Sequence, residues 1–396
     1  MRLLLLLSAF LITSCSLQTS PLLSQNMNSF ENQEYQLTGN ENPLKVRVTA
    51  VLLQREDGSG NYSKSRPNEF GIFQTYWQNA LNNFQDLKKP SDLEGCYDGL
   101  DFWPKAMLVF EDKIIEVKNT YAWNHRNTGS IYEKNILKGF SPNERWYMKS
   151  VDDSLTITEK DQPSIHVYFT NDGDTYDEYM RTNGANQIKN HGIAAGQFPT
   201  PSNLKRSSQI HYPGVYPKYF YMKNRAPQEF GKSWDKEIKD WYLIGDPKGL
   251  THELGHNFGL GHANKYHGAN KCKWTIMSQK HSDPRNYLQP TEIQKMHSNL
   301  SKTNMMQFVT EDSHYGTTQV LNKDQTWIQL RRYYNDFVLQ NGLSLRIANK
   351  IIMPTNAKIT LNPGARIIFE EGGEIVYLDG TEFNGYELKA DAKIIR

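Results

Sequence analysis

The clearest chemistry in this chain is carried by residues 251–262, which read Thr-His-Glu-Leu-Gly-His-Asn-Phe-Gly-Leu-Gly-His. His252 and His256 stand four apart, so on a helix they project from one face, a turn above each other. Two imidazole nitrogens placed that way can reach one metal ion at about 2.0–2.1 Å each. Glu253 lies beside His252 and faces the same cavity without being needed as a ligand. Gly259 follows His256 by three residues, where a glycine can take the left-handed conformation that ends a helix. The chain can then fold back and bring His262 round as a third ligand. Three histidines leave a fourth position for water, the arrangement of a catalytic zinc and not of a structural one. A bare H-E-x-x-H arises by chance in roughly one chain in a hundred of this length, and requiring Gly259 and His262 lowers that by about three orders of magnitude.

The elements that must position this stretch can be read from apolar periodicity. Leu44–Gln54 places Val46, Val48, Ala50 and Leu52 on one face and reads as a strand. From Pro67 onwards Phe70, Phe73, Trp77, Leu81, Phe84 and Leu87 recur every three or four residues, predicting a long amphipathic helix that backs a sheet, with Pro90 beyond its end. Residues 106–110 and 114–118 read as two extended runs separated by Glu111-Asp112-Lys113, and 164–170 as a further strand. Residues 171–178 carry four acidic groups and read as an exposed acidic turn, with a Ca2+ loop as the alternative. Residues 274–278 form a short turn around Met277, and 290–300 a closing helix. His211, His267, His281 and His297 lack ligand spacing and are expected at the surface or in contact with the metal's ligands.

The extended motif through His262, followed by Met277, resembles the metzincin metallopeptidases. The strand at 164–169 followed by 192–199, and the 290–297 run, are similar to the pappalysin-like branch of that clan. The resemblance covers residues 44–308. It implies a twisted mixed sheet, a backing helix, an active-site helix and a methionine turn, cut by a horizontal cleft. It also implies a single catalytic Zn2+ held by His252, His256 and His262, with Glu253 as general base in a zinc endopeptidase and Met277 as an apolar floor beneath the metal. Gln279 stands where some members carry an extra tyrosine ligand, so three histidines and water are expected. A protein or peptide substrate is expected to lie antiparallel along the strand at 164–170.

The rest of the chain sets the context. Lys and Arg number 45 against 43 Asp and Glu, so no basic excess recruits nucleic acid. Residues 1–14 read as a signal peptide, with Arg2 ahead of an apolar run too short to span a bilayer. Ile12-Thr13-Ser14-Cys15 resembles a bacterial lipobox, which makes Cys15 the expected lipidation site. The chain is then an exported bacterial lipoprotein anchored to the outer membrane or cell surface. Cys96 and Cys272 are either disulfide-bonded or two buried thiols. Residues 15–43 are a polar tether or short pro-segment, in which Glu31, Glu34 or Glu41 could mask the metal. The fold class is therefore α/β over 44–308, followed by a small all-β domain over 313–396. Asn356, Gly364 and Gly373 punctuate that domain at intervals of eight and nine residues, suggesting a solenoid or a sandwich. Two rival functions stand beside the peptidase: a surface-anchored adhesion lipoprotein acting through the β domain, and a zinc hydrolase of one specialised amide. The sequence sets no oligomeric state.

Overall fold

The computed structural model describes residues 37–91, 96, 99–123, 145–170, 195–196, 209–211, 247–263, 272, 274–278 and 286–396. The chain divides into two compact units, residues 1–34 and residues 35–396, and all described residues lie in the second. The acidic run 171–178, Gln279, His267, His281, Glu31, Glu34 and Cys15 fall outside the described residues. Among the described residues no helix is long and apolar enough to cross a membrane.

The amino-terminal part of this unit is mixed α/β. In chain order it contains β1 (Leu44–Gln54), α1 (Pro67–Asn82), β2 (Leu108–Lys118), the short α2 (Thr120–Trp123), α3 (Arg145–Thr158), β3 (Ile165–Phe169), β4 (Ala195–Gly196), β5 (Gln209–His211), α4 (Lys248–Asn257), α5 (Pro290–Lys302) and a 3-10 helix (Asn304–Phe308). The sheet order is β2-β1-β3-β5-β4. All pairings are parallel except that of β4 with β5.

Alternation along β1 decides what covers each face. Val46, Val48, Ala50 and Leu52 share one core with α1, α4 and α5, while Val51 and Leu53 pack with Trp123 of α2 and Val151 of α3 on the other. The first core is aromatic: Phe73 of α1 meets Phe169 of β3 edge-on at 4.7 Å, and Phe84 meets Phe258 at 5.8 Å.

Three elements differ from expectation. Residues 108–118 form one continuous strand, in register with β1 residue for residue. The charges at 111–113 do not interrupt it because β2 is the sheet's edge, and Asp112 accepts a hydrogen bond from the indole of Trp77 at 2.7 Å. Helix α1 ends at Asn82, short of the predicted stripe, and Phe84 and Leu87 enter the same core from the following turn. Helix α3 has no counterpart among the expected elements, its buried face carrying Asp152 beside Val151.

Behind β3 lies a buried polar cluster. The His166 ring nitrogens face Asp152 at 2.7 Å and Glu159 at 3.0 Å, and Tyr168 donates to Asp152 at 2.6 Å. Ser164 donates to Glu159 at 2.7 Å, which also pairs with Lys113 of β2. Burial pushes the His166 pKa down, but its hydrogen bonds to Asp152 and Glu159 and their charges outweigh that and raise it. Burial likewise pushes Glu159 up, and bonds from His166, Lys113 and Ser164 prevail, holding it at about 2.

The carboxyl-terminal part is a three-sided stack of parallel strands: β6 (Thr318–Leu321), β7 (Gln325–Trp327), β8 (Arg331–Arg332), β9 (Asp336–Leu339), β10 (Ser344–Ile347), β11 (Lys350–Met353), β12 (Ile359–Leu361), β13 (Arg366–Phe369), β14 (Glu374–Tyr377), β15 (Tyr386–Leu388) and β16 (Lys393–Ile395). Each strand from β6 to β13 pairs in parallel with the third strand after it. The eight- and nine-residue punctuation therefore marks one side of a turn, and three sides make the repeat. Leu321, Leu339 and Leu361 lie in register inside the stack, as do Leu345 and Ile367. The side formed by β8, β11 and β14 faces the α/β part, where Ile352 and Val376 pack against Met306.

Candidate metal centre

Helix α4 carries both halves of the H-E-x-x-H motif at its carboxyl end. Its last turn closes through two bonds, Gly259 N–H to the His256 carbonyl at 2.9 Å and Leu260 N–H to the Gly255 carbonyl at 3.0 Å. Gly259 sits at φ 86°, the left-handed conformation this closure requires. The reversal brings His262 back over the helix. The ligand atoms of His252, His256 and His262 then all lie within 4.8 Å of one another.

Hydrogen bonds fix which nitrogens face inward. His252 Nδ1 lies 2.9 Å from the Ile276 carbonyl and His256 Nδ1 2.7 Å from that of Leu260. A carbonyl can only accept, so each Nδ1 carries the proton and each Nε2 keeps its lone pair. The Nε2 atoms of His256 and His262 stand 3.0 Å apart. Two nitrogens on one tetrahedral ion at about 2.0–2.1 Å stand roughly 3.3 Å apart, so the spacing fits a shared metal. Burial, and the charge of His262, lower the His256 pKa, which favours the neutral ring a metal needs. Three imidazole donors suit zinc and also copper, iron or nickel. Glu253 is partly exposed on the same helix, next to His252.

Residues distant in sequence build the floor. Met277 is fully buried, and a Cβ placed on Gly255 would fall inside the contact distance of its Sδ and 3.3 Å from its Cε. Gly255 therefore stands between the two helical ligands as the seat of the methionine, a role its spacing alone did not single out. The Met277 carbonyl accepts from Ala263 N–H at 2.9 Å, joining the turn to the residue after His262. Thr275 donates at 3.0 Å to Glu292, whose carboxylate also accepts from Gln289 N–H at 2.9 Å as the amino-terminal cap of α5. Cys96 and Cys272 form a disulfide just ahead of this turn. The Cys96 carbonyl accepts from Tyr287 at 3.1 Å and Gln289 at 2.9 Å. Helix α1 supports the back of α4: Thr251 donates to the Ala80 carbonyl at 3.0 Å and accepts from Asn83 at 3.0 Å.

Two expectations are corrected. The strand expected to guide a substrate, β3, is paired on both sides, by β1 and β5, and has no free edge. Among the described residues, the sheet edge that packs against α4 is β4. His297 is neither at the surface nor near a ligand role. It is buried, facing the Tyr315 hydroxyl at 2.7 Å and the Ala106 carbonyl at 2.8 Å, and burial lowers its pKa to about 4. Glu41 accepts from Thr38 and Gly39 in its own loop, at 2.7 and 3.0 Å. The side chain of His211 lies outside the described residues.

What fold and site define together is a mixed α/β protein in which three histidines lie close enough to bind one metal ion. Scanned against protein-family models the chain matches none, and no curated protein matches it.

Proposed function

We propose that the chain is a zinc-dependent endopeptidase of the metzincin type, acting on proteins or peptides outside the cytoplasm. The observation that carries this reading is the convergence of the His252, His256 and His262 ligand atoms beside Glu253 and above Met277. A metal held there would supply Lewis acidity, bringing the pKa of a bound water towards about 7 and polarising the scissile carbonyl. The remaining chemistry falls to the chain's own residues. Glu253 accepts the proton of the attacking water on its carboxylate and delivers it to the departing amine. The carbonyls of Ile276 and Leu260 hold the imidazoles in the tautomer that keeps Nε2 available. The edge of β4 offers backbone groups against which an extended substrate can pair. Cys15 is proposed as a lipid anchor on the strength of the lipobox-like residues before it.

The test compares zinc-loaded wild type with Glu253→Ala on casein and on an unbiased peptide library. Wild type should cleave, and the variant should retain zinc while losing at least about 10²-fold in turnover. Chelation should abolish cleavage and added zinc restore it. Cleavage that survives thorough chelation, or a zinc-loaded wild type that cuts nothing in the library, would overturn the reading. In the latter case a single specialised amide substrate becomes the working alternative.

A further inference from the structure

The carboxyl-terminal stack is unexplained by the metal centre, yet its first turn is tied into helix α5 and the 3-10 helix that follows. Arg332, in β8, is fully buried, and among the described residues its two terminal nitrogens donate to backbone carbonyls. It donates to the carbonyls of Met306 at 2.9 Å, Val309 at 2.6 Å and Thr310, closing the end of the 3-10 helix. The Arg332 carbonyl accepts from Ser301 of α5 at 2.7 Å, and Arg331 donates to the same Ser301 hydroxyl at 2.9 Å. Tyr334 donates to the Leu300 carbonyl at 2.5 Å, and Tyr315, just before β6, meets His297 of α5. The last two turns of α5 are thus held by side chains from the stack.

The other end of α5 holds the floor of the metal centre. Glu292, which accepts from the N-cap backbone of α5, also fixes Thr275; the Thr275 hydroxyl accepts from Met277 N–H at 3.3 Å, and the Met277 carbonyl fixes Ala263 beside His262. In the last turn of α5, next to Leu300, Asn299 donates to the Phe258 carbonyl at 2.9 Å, at the end of α4. A helix is stiff over this length, so a displacement at Leu300 or Ser301 moves its cap and its contact with α4 together.

We propose that the first turn of the β stack is a working part of the metal centre, with Ser301, Arg332 and Tyr334 as positioning residues that act through α5 on the methionine turn. The turnover expected of this arrangement rests on the peptidase reading above, but the metal affinity does not. This role makes the stack a buttress of the α/β part, and it requires the two to operate as one piece.

The test uses the full chain with Tyr334→Phe and Ser301→Ala, which each remove hydrogen bonds while conserving shape. The control is Leu361→Ala, a buried position in the third turn of the stack, paired within the stack to Leu339 and Leu388. Zinc affinity by chelator competition, kcat and KM are measured well below each variant's unfolding temperature. Tyr334→Phe and Ser301→Ala should weaken zinc by about tenfold, the scale on which outer partners of metal ligands act, and lower kcat with KM unchanged. Leu361→Ala should lower thermal stability more than either and leave zinc affinity and kcat at wild-type values. Wild-type zinc affinity in both Tyr334→Phe and Ser301→Ala, or losses in all three that track stability alone, would overturn the proposal. If wild type proves inactive on every peptide, the peptidase reading fails while the zinc comparison still decides this one.

Discussion

Replacing Gly255 by Ala sets a local preference against a tertiary contact, and the two have opposite signs. Gly255 lies inside α4, where alanine should stabilise a helix by about 1 kcal/mol. The added methyl, however, would overlap the Sδ of Met277. Met277 cannot withdraw easily, because it is fully buried and its backbone is bound to Ala263 and Thr275. Overpacking of this kind costs about 1–3 kcal/mol, so Gly255→Ala should destabilise the protein by a net of roughly 0–2 kcal/mol. In a Met277→Ala background the obstacle is gone, and the same substitution should stabilise by about 1 kcal/mol. The double-mutant cycle, read by urea denaturation of the metal-free protein, should therefore give a coupling of about 1–3 kcal/mol. Zinc affinity should fall with it by about tenfold, since Met277 positions the residue beside His262. A stabilisation of about 1 kcal/mol in both backgrounds, with no coupling, would refute the seating of the methionine on Gly255.

Three further outcomes are expected. Gly259→Ala places a Cβ at φ 86°, which should cost about 1–2 kcal/mol and weaken zinc binding by misplacing His262, whereas Gly261→Ala, with open space around it, should do neither. Removing the Cys96–Cys272 bridge with a pair of serines frees a loop with a sequence separation of 176, for which the chain-entropy scale gives a loss of about 5 kcal/mol; an unchanged unfolding midpoint under reducing conditions would count against a closed bridge. The His166 cluster should make stability pH-dependent on both sides. Glu159, at about 2 when folded and higher when unfolded, contributes stability that is lost as pH falls below the ordinary carboxylate range. His166, raised when folded, contributes stability that is complete below about pH 6.5 and is lost as pH rises through its folded value. His166→Gln should therefore cost most near about pH 5.5 and progressively less in alkali, and a penalty that grows with pH would contradict a charged His166.

Whatever depends on neighbours along the chain is legible in the order of the amino acids. The four-residue spacing of His252 and His256 fixes a shared helical face, and Gly259 fixes the reversal to His262, because helix geometry and the left-handed turn are local properties. For the same reason the alternation at 44–54 and the proline at 67 placed β1 and the start of α1. Tertiary structure decided whatever depends on which distant segments meet. Residues 165–169 read equally well as an edge or a central strand, and only the sheet order makes β3 internal and leaves β4 at the edge. The charges at 111–113 look like a break until Trp77 supplies the donor that Asp112 accepts. Punctuation at eight and nine residues fits a sandwich as well as a stack, since parallel pairing with the third strand onward is a non-local choice. Neither Gly255 nor Arg332 is marked by its neighbours in sequence. Each takes its role from a partner that packing alone delivers: the sulfur of Met277 in one case, three backbone carbonyls in the other.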